Sequence, residues 1–211
     1  MVFGVLIAAT LVVAGADWWA VATDRRTAEY VLKPLVMVVL IAAALSISAP
    51  DPSAARWWLV AGLVASLAGD VLLMLDDHFV EGLAAFLVGH LLYIVALATM
   101  GITVAALVGG LILVAVLAGV LGRRIVAGAE RHDARLRPPV TAYIAAISVM
   151  VAMAAGTLRP AAIVGALLFY ASDACIGWSR FIDDFPRARV IIMVTYHLGQ
   201  IGLVLSLLGT A

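Results

Sequence analysis

Long apolar stretches recur along the chain, and short polar segments separate them. A helix rises about 1.5 Å per residue, so about 20 apolar residues cross the hydrocarbon core of a bilayer. Eight stretches approach this length and predict an all-α integral membrane protein, a bundle of eight transmembrane helices. The predicted spans run from Val2 to Ala22, Val31 to Ala49, Trp57 to Leu75, Leu83 to Met100, Thr103 to Leu121, Pro139 to Ala154, Ala161 to Ser179 and Val190 to Leu208.

The composition agrees with this pattern. Hydrophobic residues make up 65% of the 211 residues and charged residues only 12%, which is more apolar material than one soluble core needs. We therefore expect residues 1–211 to form a single multi-pass membrane domain. The first span lacks the preceding basic residues of a signal peptide and is expected to remain as a helix. The net charge of zero gives no support for nucleic acid as a partner.

Basic residues are distributed unevenly between the two ends of the predicted bundle. Eleven of the thirteen Lys and Arg residues follow spans one, five and seven, whereas Arg56 and Arg159 lie at the opposite end. Because cytoplasmic loops carry the excess of Lys and Arg, this bias predicts that both termini lie outside. Arginine outnumbers lysine twelve to one and alanine is abundant, which favours a bacterial source and the inner (plasma) membrane.

Ionisable side chains occur inside the predicted spans. A carboxylate at the bilayer centre costs about 2.5–3.5 kcal/mol on insertion scales, so such residues are functional candidates by default. Asp70 and Asp173 fall about 8–9 Å inside the cytoplasmic boundary, and His90 and His197 about 10 Å inside it. The same layer is expected to contain Lys33, Tyr93, Tyr143 and Gln200. The sequence therefore predicts one polar chamber that opens toward the cytoplasm.

Asp17 has a different interpretation. It lies near the end of the first span beside Trp18 and Trp19, and Trp is enriched where membrane meets water. We therefore expect Asp17 to be interfacial. The arginines between positions 123 and 137 are expected to be positive-inside sequence that can also contact anionic lipid head groups.

The two halves of the chain contain matching short segments. Lys33-Pro34 recurs as Arg137-Pro138 at an offset of 104, Gly69-Asp70 as Ser172-Asp173 at 103, and His90 as His197 at 107. With four spans in each half, such repeats would have the same orientation in the membrane. We predict two parallel four-helix repeats, 1–100 and 101–211, in which Asp70 and Asp173 face each other.

Five short motifs fall in order on five of the predicted helices. They read KPLVMVVL from Lys33, SLAGDVLLML from Ser66, FLVGHLLYI from Phe86, GALLFYASDACIG from Gly165 and YHLGQIGLVL from Tyr196. Together they resemble the YhhN-like lysoplasmalogenase family. The resemblance implies an eight-helix membrane enzyme that hydrolyses the vinyl ether bond of lysoplasmalogens to a fatty aldehyde and a glycerophospho-base. It also implies that no cofactor and no metal are required.

The resemblance extends to specific residues. The positions that match the motifs of the family are Lys33, Asp70, His90, Tyr93, Asp173, Tyr196 and Gln200. His197 stands where the family pattern has a tyrosine. These residues and their neighbours in the polar layer are our candidates for the site.

The chemistry of a vinyl ether explains why two carboxyl groups are useful. Hydrolysis begins with slow protonation at carbon and passes through an oxocarbenium ion that water captures, so it needs an acid and an anion. We predict that Asp70 and Asp173 divide these roles as the catalytic pair, and that catalytic His90 and Tyr93 orient water or a carboxylate. Lys33 is expected at the rim of the chamber, where it would hold the phosphate of a lysophospholipid substrate that arrives among membrane lipids. The predicted substrate-binding residues are Lys33, Tyr143, Tyr196, His197 and Gln200.

Three other functions are compatible with the same residues. A zinc-dependent intramembrane lipid hydrolase would use Asp70, His90, Asp173 and His197 as ligands. A small-molecule or lipid transporter would need polar groups accessible from both sides, and the outer halves of the predicted helices offer few. A structural or lipid-sensing membrane protein would need no catalytic pair at all.

Overall fold

The computed structural model describes residues 1–75 and 77–209. Within these ranges the chain is helical and has no strand, and eight helical segments are long and apolar enough to cross a membrane, which confirms the predicted fold class. The helices are α1 (Val2–Ala22), α2 (Arg26–Leu45), α3 (Ser53–Met74), α4 (Phe79–Thr99), α5 (Val104–Leu117), α6 (Arg123–His132), α7 (Arg137–Gly156), α8 (Pro160–Phe181) and α9 (Ala188–Leu205).

Nine helices make eight spans because α5 and α6 are continuous. A π-helical turn, Ala118–Gly122, joins them into one segment that extends from Val104 to His132. The predicted fifth span ended at Leu121, where the apolar run ends. The helix continues past that point because arginine has good helix propensity and its charge can remain in water beyond the membrane.

Other predicted boundaries also differ from the structure, and two of them have similar reasons. The second span was predicted to begin at Val31, but α2 begins at Arg26 because charged residues are compatible with the first turns of a helix. The sixth span was predicted to be short, whereas α7 begins at Arg137 and has prolines in its first turn. Proline fits there because the first amide groups of a helix have no partner within it.

Seven helices form a closed ring. In order around the ring, α1, α2, α3, α4, α7, α8 and α9 each pack against the next, and α9 returns to α1. The span formed by α5 and α6 lies outside the ring, with α5 against α7. In an 18-residue apolar window of this span only 11% of the residues are buried, compared with 61% in such a window of the last span. The polar side chains therefore gather inside the ring and at one of its ends. We call this end, where α1, α3 and α8 finish, the arginine-rich end.

Glycines allow two helix pairs in the ring to approach closely. A Cβ atom on Gly202 of α9 would lie 2.7 Å from the Cα atom of Gly165 in α8, and one on Gly199 would lie 3.0 Å from the Gly165 carbonyl oxygen. At the crossing of α3 and α4, a Cβ atom on Gly89 would lie 3.3 Å from the Gly62 carbonyl oxygen. Small residues of this kind let helix backbones meet in a membrane, where apolar burial does not drive association.

The helix packing supports the proposed repeat. Within each half, α1 packs on α2 as α5 packs on α7, and α3 packs on α4 as α8 packs on α9. The glycine crossings also match, since Gly62 and Gly89 occupy the positions of Gly165 and Gly199. Aligned through these crossings, His90 corresponds to Gln200 instead of His197. The division into two repeats stays a prediction, and the matching pairs of helices favour it.

Candidate active site

A cavity of about 490 Å³ lies at the arginine-rich end between α2, α3, α8 and α9. We call it the polar cavity. Both predicted carboxyl groups, Asp70 and Asp173, contribute to its wall, so the structure brings them to one space from different helices. Its other polar lining residues are Glu29, Lys33, Ser172, Ser179, Arg180, Asp184, Arg189 and Tyr196.

Asp70 is the more deeply buried carboxyl group, with a side chain 1% exposed. The ammonium nitrogen of Lys33 lies 3.1 Å from its Oδ1 atom, and the Tyr196 hydroxyl donates a hydrogen bond of 2.6 Å to Oδ2. Lys33 is itself buried, seven residues inside α2, so the prediction that it lies at the rim of the chamber is wrong. The early start of α2 explains the difference. The ion pair neutralises two charges that would each be costly in the membrane.

Asp173 has a different set of partners. The Tyr143 hydroxyl donates a 2.6 Å hydrogen bond to its Oδ2 atom, and His90 Nε2 lies 3.3 Å from the same oxygen. His90 Nδ1 lies 2.6 Å from the carbonyl oxygen of Phe86, which can only accept, so Nδ1 carries a hydrogen. His90 Nε2 forms no hydrogen bond within the described residues, so its contact with Asp173 is a close approach and not a formed hydrogen bond.

The contacts of the two aspartates follow one pattern. Each aspartate contacts a side chain from the preceding ring helix in its own half: Lys33 of α2 for Asp70 and Tyr143 of α7 for Asp173. Each also contacts a side chain from the last helix of the other half: Tyr196 of α9 and His90 of α4. The carboxyl groups therefore link the two halves of the ring.

Tyr93 and Gln200 form a separate buried network. The Tyr93 hydroxyl donates to Gln200 Oε1 at 2.7 Å and lies 3.2 Å from Ser66 Oγ. This network joins α3, α4 and α9 but has no hydrogen bond to either aspartate, and its members do not line the polar cavity. The structure thus gives neither the predicted catalytic residue Tyr93 nor the predicted substrate-binding residue Gln200 a direct contact with the carboxyl pair.

His197 also lies away from the carboxyl pair. It is fully buried, its Nδ1 atom accepts a 3.1 Å hydrogen bond from the Trp18 indole, and it therefore faces α1. The four ligands of the zinc alternative do not converge, because His197 is turned away from Asp173 and His90. Within residues 1–75 and 77–209, no three His, Cys, Asp or Glu side chains are grouped as a metal site.

Asp17 is the clearest error of the sequence interpretation. Its side chain is fully buried, and neither carboxyl oxygen has a hydrogen-bond partner in the described part of the chain. The expected interfacial residue is instead Trp19, which is 52% exposed and lies under the Arg25 guanidinium at 4.4 Å. Position along the span located Asp17 near a helix end, but only the rotation of α1 determines that it points inward.

The sequence interpretation missed Arg180. Its guanidinium lies 4.9 Å above the Phe79 ring and lines the polar cavity, and no ion pair is formed by Arg180 within the described residues. Arg189, by comparison, pairs with Asp24 and Glu29. The positive-inside rule explains every arginine at this end of the bundle equally well. Nothing in the sequence therefore distinguishes Arg180, which faces the cavity, from the other arginines.

Comparisons with known proteins agree with the motifs. The model of the YhhN family matches residues 28–207. Lysoplasmalogenase TMEM86B of Homo sapiens is 34% identical over 161 residues, which cover 75% of this chain and 67% of that protein. The same enzyme of Sus scrofa is 34% identical over 145 residues, 68% of this chain and 60% of that protein.

A bacterial relative is similar to a comparable extent. Lysoplasmalogenase of Mycobacterium tuberculosis (strain CDC 1551 / Oshkosh) is 38% identical over 171 residues, 78% of this chain and 65% of that protein. The matched region thus spans about three fifths to two thirds of the length of these curated relatives. No solved structure matches the chain.

Proposed function

Because the chain belongs to the YhhN family, we propose that it is a membrane hydrolase that cleaves the vinyl ether bond of lysoplasmalogens to a fatty aldehyde and a glycerophospho-base. The observation that carries this proposal is the pair of carboxyl groups at one cavity, with side chains 1% and 9% exposed and with different partners. The names of the similar proteins supply the substrate class, and the geometry supplies a reason why these residues suit the reaction.

The reaction needs one proton and one water molecule. Transfer of a proton to the alkene carbon that is not bonded to oxygen leaves an oxocarbenium ion at the carbon that is. Water adds to that carbon, loses a proton and gives a hemiacetal, which collapses to the aldehyde and the free hydroxyl of the glycerol. The active site must therefore supply an acid, stabilise a cation and accept a proton back.

We assign the acid to Asp173 and the anion to Asp70. Asp70 is paired with the ammonium group of Lys33 at 3.1 Å, which favours its charged form, and it is positioned to stabilise the cation that develops. Asp173 has no Lys or Arg partner within the described residues, and the imidazole nitrogen Nε2 of His90 lies 3.3 Å from its Oδ2 atom. His90 can restore the proton after each transfer, and Tyr143 holds the Asp173 carboxyl group in position.

The substrate phosphate is assigned to Arg180. Lys33 is already paired with Asp70 inside the bundle, so it can influence substrate binding only through the Asp70 carboxylate. Arg180 lies on the same cavity nearer the arginine-rich end, where a lipid head group would sit. A guanidinium can bind phosphate through two parallel hydrogen bonds, which makes this residue well suited to the task.

The reaction is tested with three lysolipids that share one head group. A 1-alkenyl lysolipid should release aldehyde, whereas the 1-alkyl ether should remain intact, because only the alkene accepts a proton at carbon. In heavy water, with prompt reduction of the product, deuterium should appear on the carbon next to the former carbonyl. Fatty acid release from the ester lysolipid, without aldehyde from the alkenyl lipid, would contradict the proposed function.

A further inference from the structure

A second cavity lies beside the polar cavity, between α4, α6, α7 and α8. We call it the apolar cleft. Carbon atoms form almost all of its wall, and its three lining residues with hydrogen-bonding side chains are Tyr143, Tyr170 and Asp173. Tyr143 and Asp173 bond to each other at 2.6 Å. Its apolar wall includes Leu83, Ile125, Ile147, Gly177 and Phe181. An occupant that needs hydrogen bonds would find few partners there.

The apolar cleft and the polar cavity meet at the proposed acid. Asp173 and Phe86 line both spaces, and Leu73, Phe79 and Ile176 form the rest of their common wall. A molecule that reaches Asp173 with a charged end and an apolar end therefore meets a polar wall on one side and an apolar wall on the other. The apolar cleft, at about 60 Å³, is much narrower than the polar cavity of about 490 Å³. This arrangement separates the two ends on either side of one carboxyl group.

We propose that the apolar cleft binds the hydrocarbon chain of a single-chain lipid whose head group occupies the polar cavity. The proposal rests on the proposed function, since the bond to be cleaved in a lysoplasmalogen joins its chain to its glycerol. With the chain in the cleft and the phosphate at Arg180, that bond lies where the two spaces meet, beside Asp173.

Glycines allow α8 to pack closely on α6, and the π-helical turn on α7, at the wall of the cleft. A Cβ atom on Gly177 would lie 2.8 Å from Cγ2 of Ile125, so any larger side chain there must displace Ile125 or project into the cleft. Gly122, in the π-helical turn, is similarly close to Ile144, at 3.2 Å. Glycine at these positions is explained by the close approach of Ile125 and Ile144, and a larger side chain at Gly177 would narrow the cleft.

The experiment labels the chain directly and does not require turnover. A 1-alkyl lysolipid with a photoreactive diazirine near the end of its chain is bound to the purified protein and irradiated, and the modified residues are mapped by mass spectrometry. We expect modification at Leu83, Ile125, Ile147 or Phe181, which excess unlabelled 1-alkyl lysolipid suppresses. Modification confined to the lipid-facing residues Val108 and Ile112, or competition by a two-chain phospholipid as strong as by the lysolipid, would overturn the proposal.

A matched pair of variants tests the width of the cleft. Gly177→Leu should weaken binding of the 1-alkyl lysolipid roughly tenfold, because a branched side chain fills space that the chain would occupy. Gly109→Leu is the control, since a Cβ atom on Gly109 has no neighbour within 4 Å. If Gly177→Leu does not fold, the labelling pattern of the unaltered protein decides whether the hydrocarbon chain binds in the cleft.

The two proposals can fail separately. Labelling in the cleft without aldehyde release would contradict only the proposed function, and aldehyde release with labelling elsewhere would contradict only this inference.

Discussion

At the scale of single residues, the partners of the two aspartates determine what each can do. Asp70 lies between an ammonium group and a hydroxyl donor, which favours a carboxylate. Asp173 lies 3.3 Å from the imidazole of His90, which we propose as its proton source. Two identical side chains thus suit different roles because of their surroundings, as pairs of carboxyl groups do in glycoside hydrolases.

We predict that Asp173→Asn reduces aldehyde release by several orders of magnitude while the protein keeps its thermal stability. The amide cannot donate a proton to carbon, and its replacement leaves no Lys or Arg of the described residues without its ion-pair partner. The measurement is turnover of a 1-alkenyl lysolipid together with a melting curve in detergent. Tyr143→Phe, which removes only a hydrogen bond to Asp173, is the milder comparison and should retain more activity.

Lys33→Met should destabilise the protein, because it leaves the buried Asp70 carboxylate without its cation. Breaking a buried ion pair by removing one partner costs about 3–5 kcal/mol, whereas replacing both partners costs much less. The double variant Lys33→Met with Asp70→Asn should therefore recover most of the lost melting temperature, but not the activity. Equal melting temperatures for single and double variants would be inconsistent with the ion pair.

At the scale of helices, close crossings at glycine hold the carboxyl groups in place. The backbones of α8 and α9 meet at Gly165, Gly199 and Gly202, and Asp173 and Tyr196 extend from these two helices into the polar cavity. A separation of α8 from α9 would shift Tyr196 relative to Asp70, to which it donates its hydrogen bond. The geometry of the site thus depends on contacts one or two helical turns away from it.

Gly199→Leu should lower the melting temperature and the activity together. A Cβ atom at this position would lie 2.9 Å from the backbone nitrogen of Phe169, and a backbone cannot move aside as a side chain can. Gly109→Leu on the outer face of α5 serves as the control for adding the same side chain. A normal melting curve for Gly199→Leu would mean that α8 and α9 do not cross in this way.

At the scale of the whole molecule, the ring places its polar cavity at the end that carries most of the arginines. If this end faces the cytoplasm, as the basic residues predict, substrate would reach the site from the inner leaflet. The orientation also determines on which side the glycerophospho-base is released. It is therefore the property of the whole bundle that matters most for function.

Cysteine labelling tests this orientation. In a Cys175→Ala background, a cysteine in place of exposed Ala134 at the arginine-rich end should react with an impermeant reagent only after the cells are opened. A cysteine in place of exposed Ala54 at the opposite end should react in intact cells. The reverse pattern would show that both termini lie in the cytoplasm.

The sequence by itself determined the properties that depend on local composition. Runs of apolar residues gave the eight spans, because each span must be long enough to cross the bilayer whatever its neighbours are. The same rule drew attention to Asp70, Asp173 and His90, since an ionisable group within an apolar run is costly wherever it points. The motifs then identified the family without any knowledge of contacts.

Only the tertiary structure decided which way each polar side chain points and what it meets. Asp17 faces inward, His197 bonds to Trp18, and Lys33 pairs with Asp70. In a soluble helix the apolar stripe marks the buried face, but here the lipid outside is as apolar as the interior. The rotation of each helix is therefore absent from the hydropathy pattern and is set by interhelical contacts between residues distant in the chain.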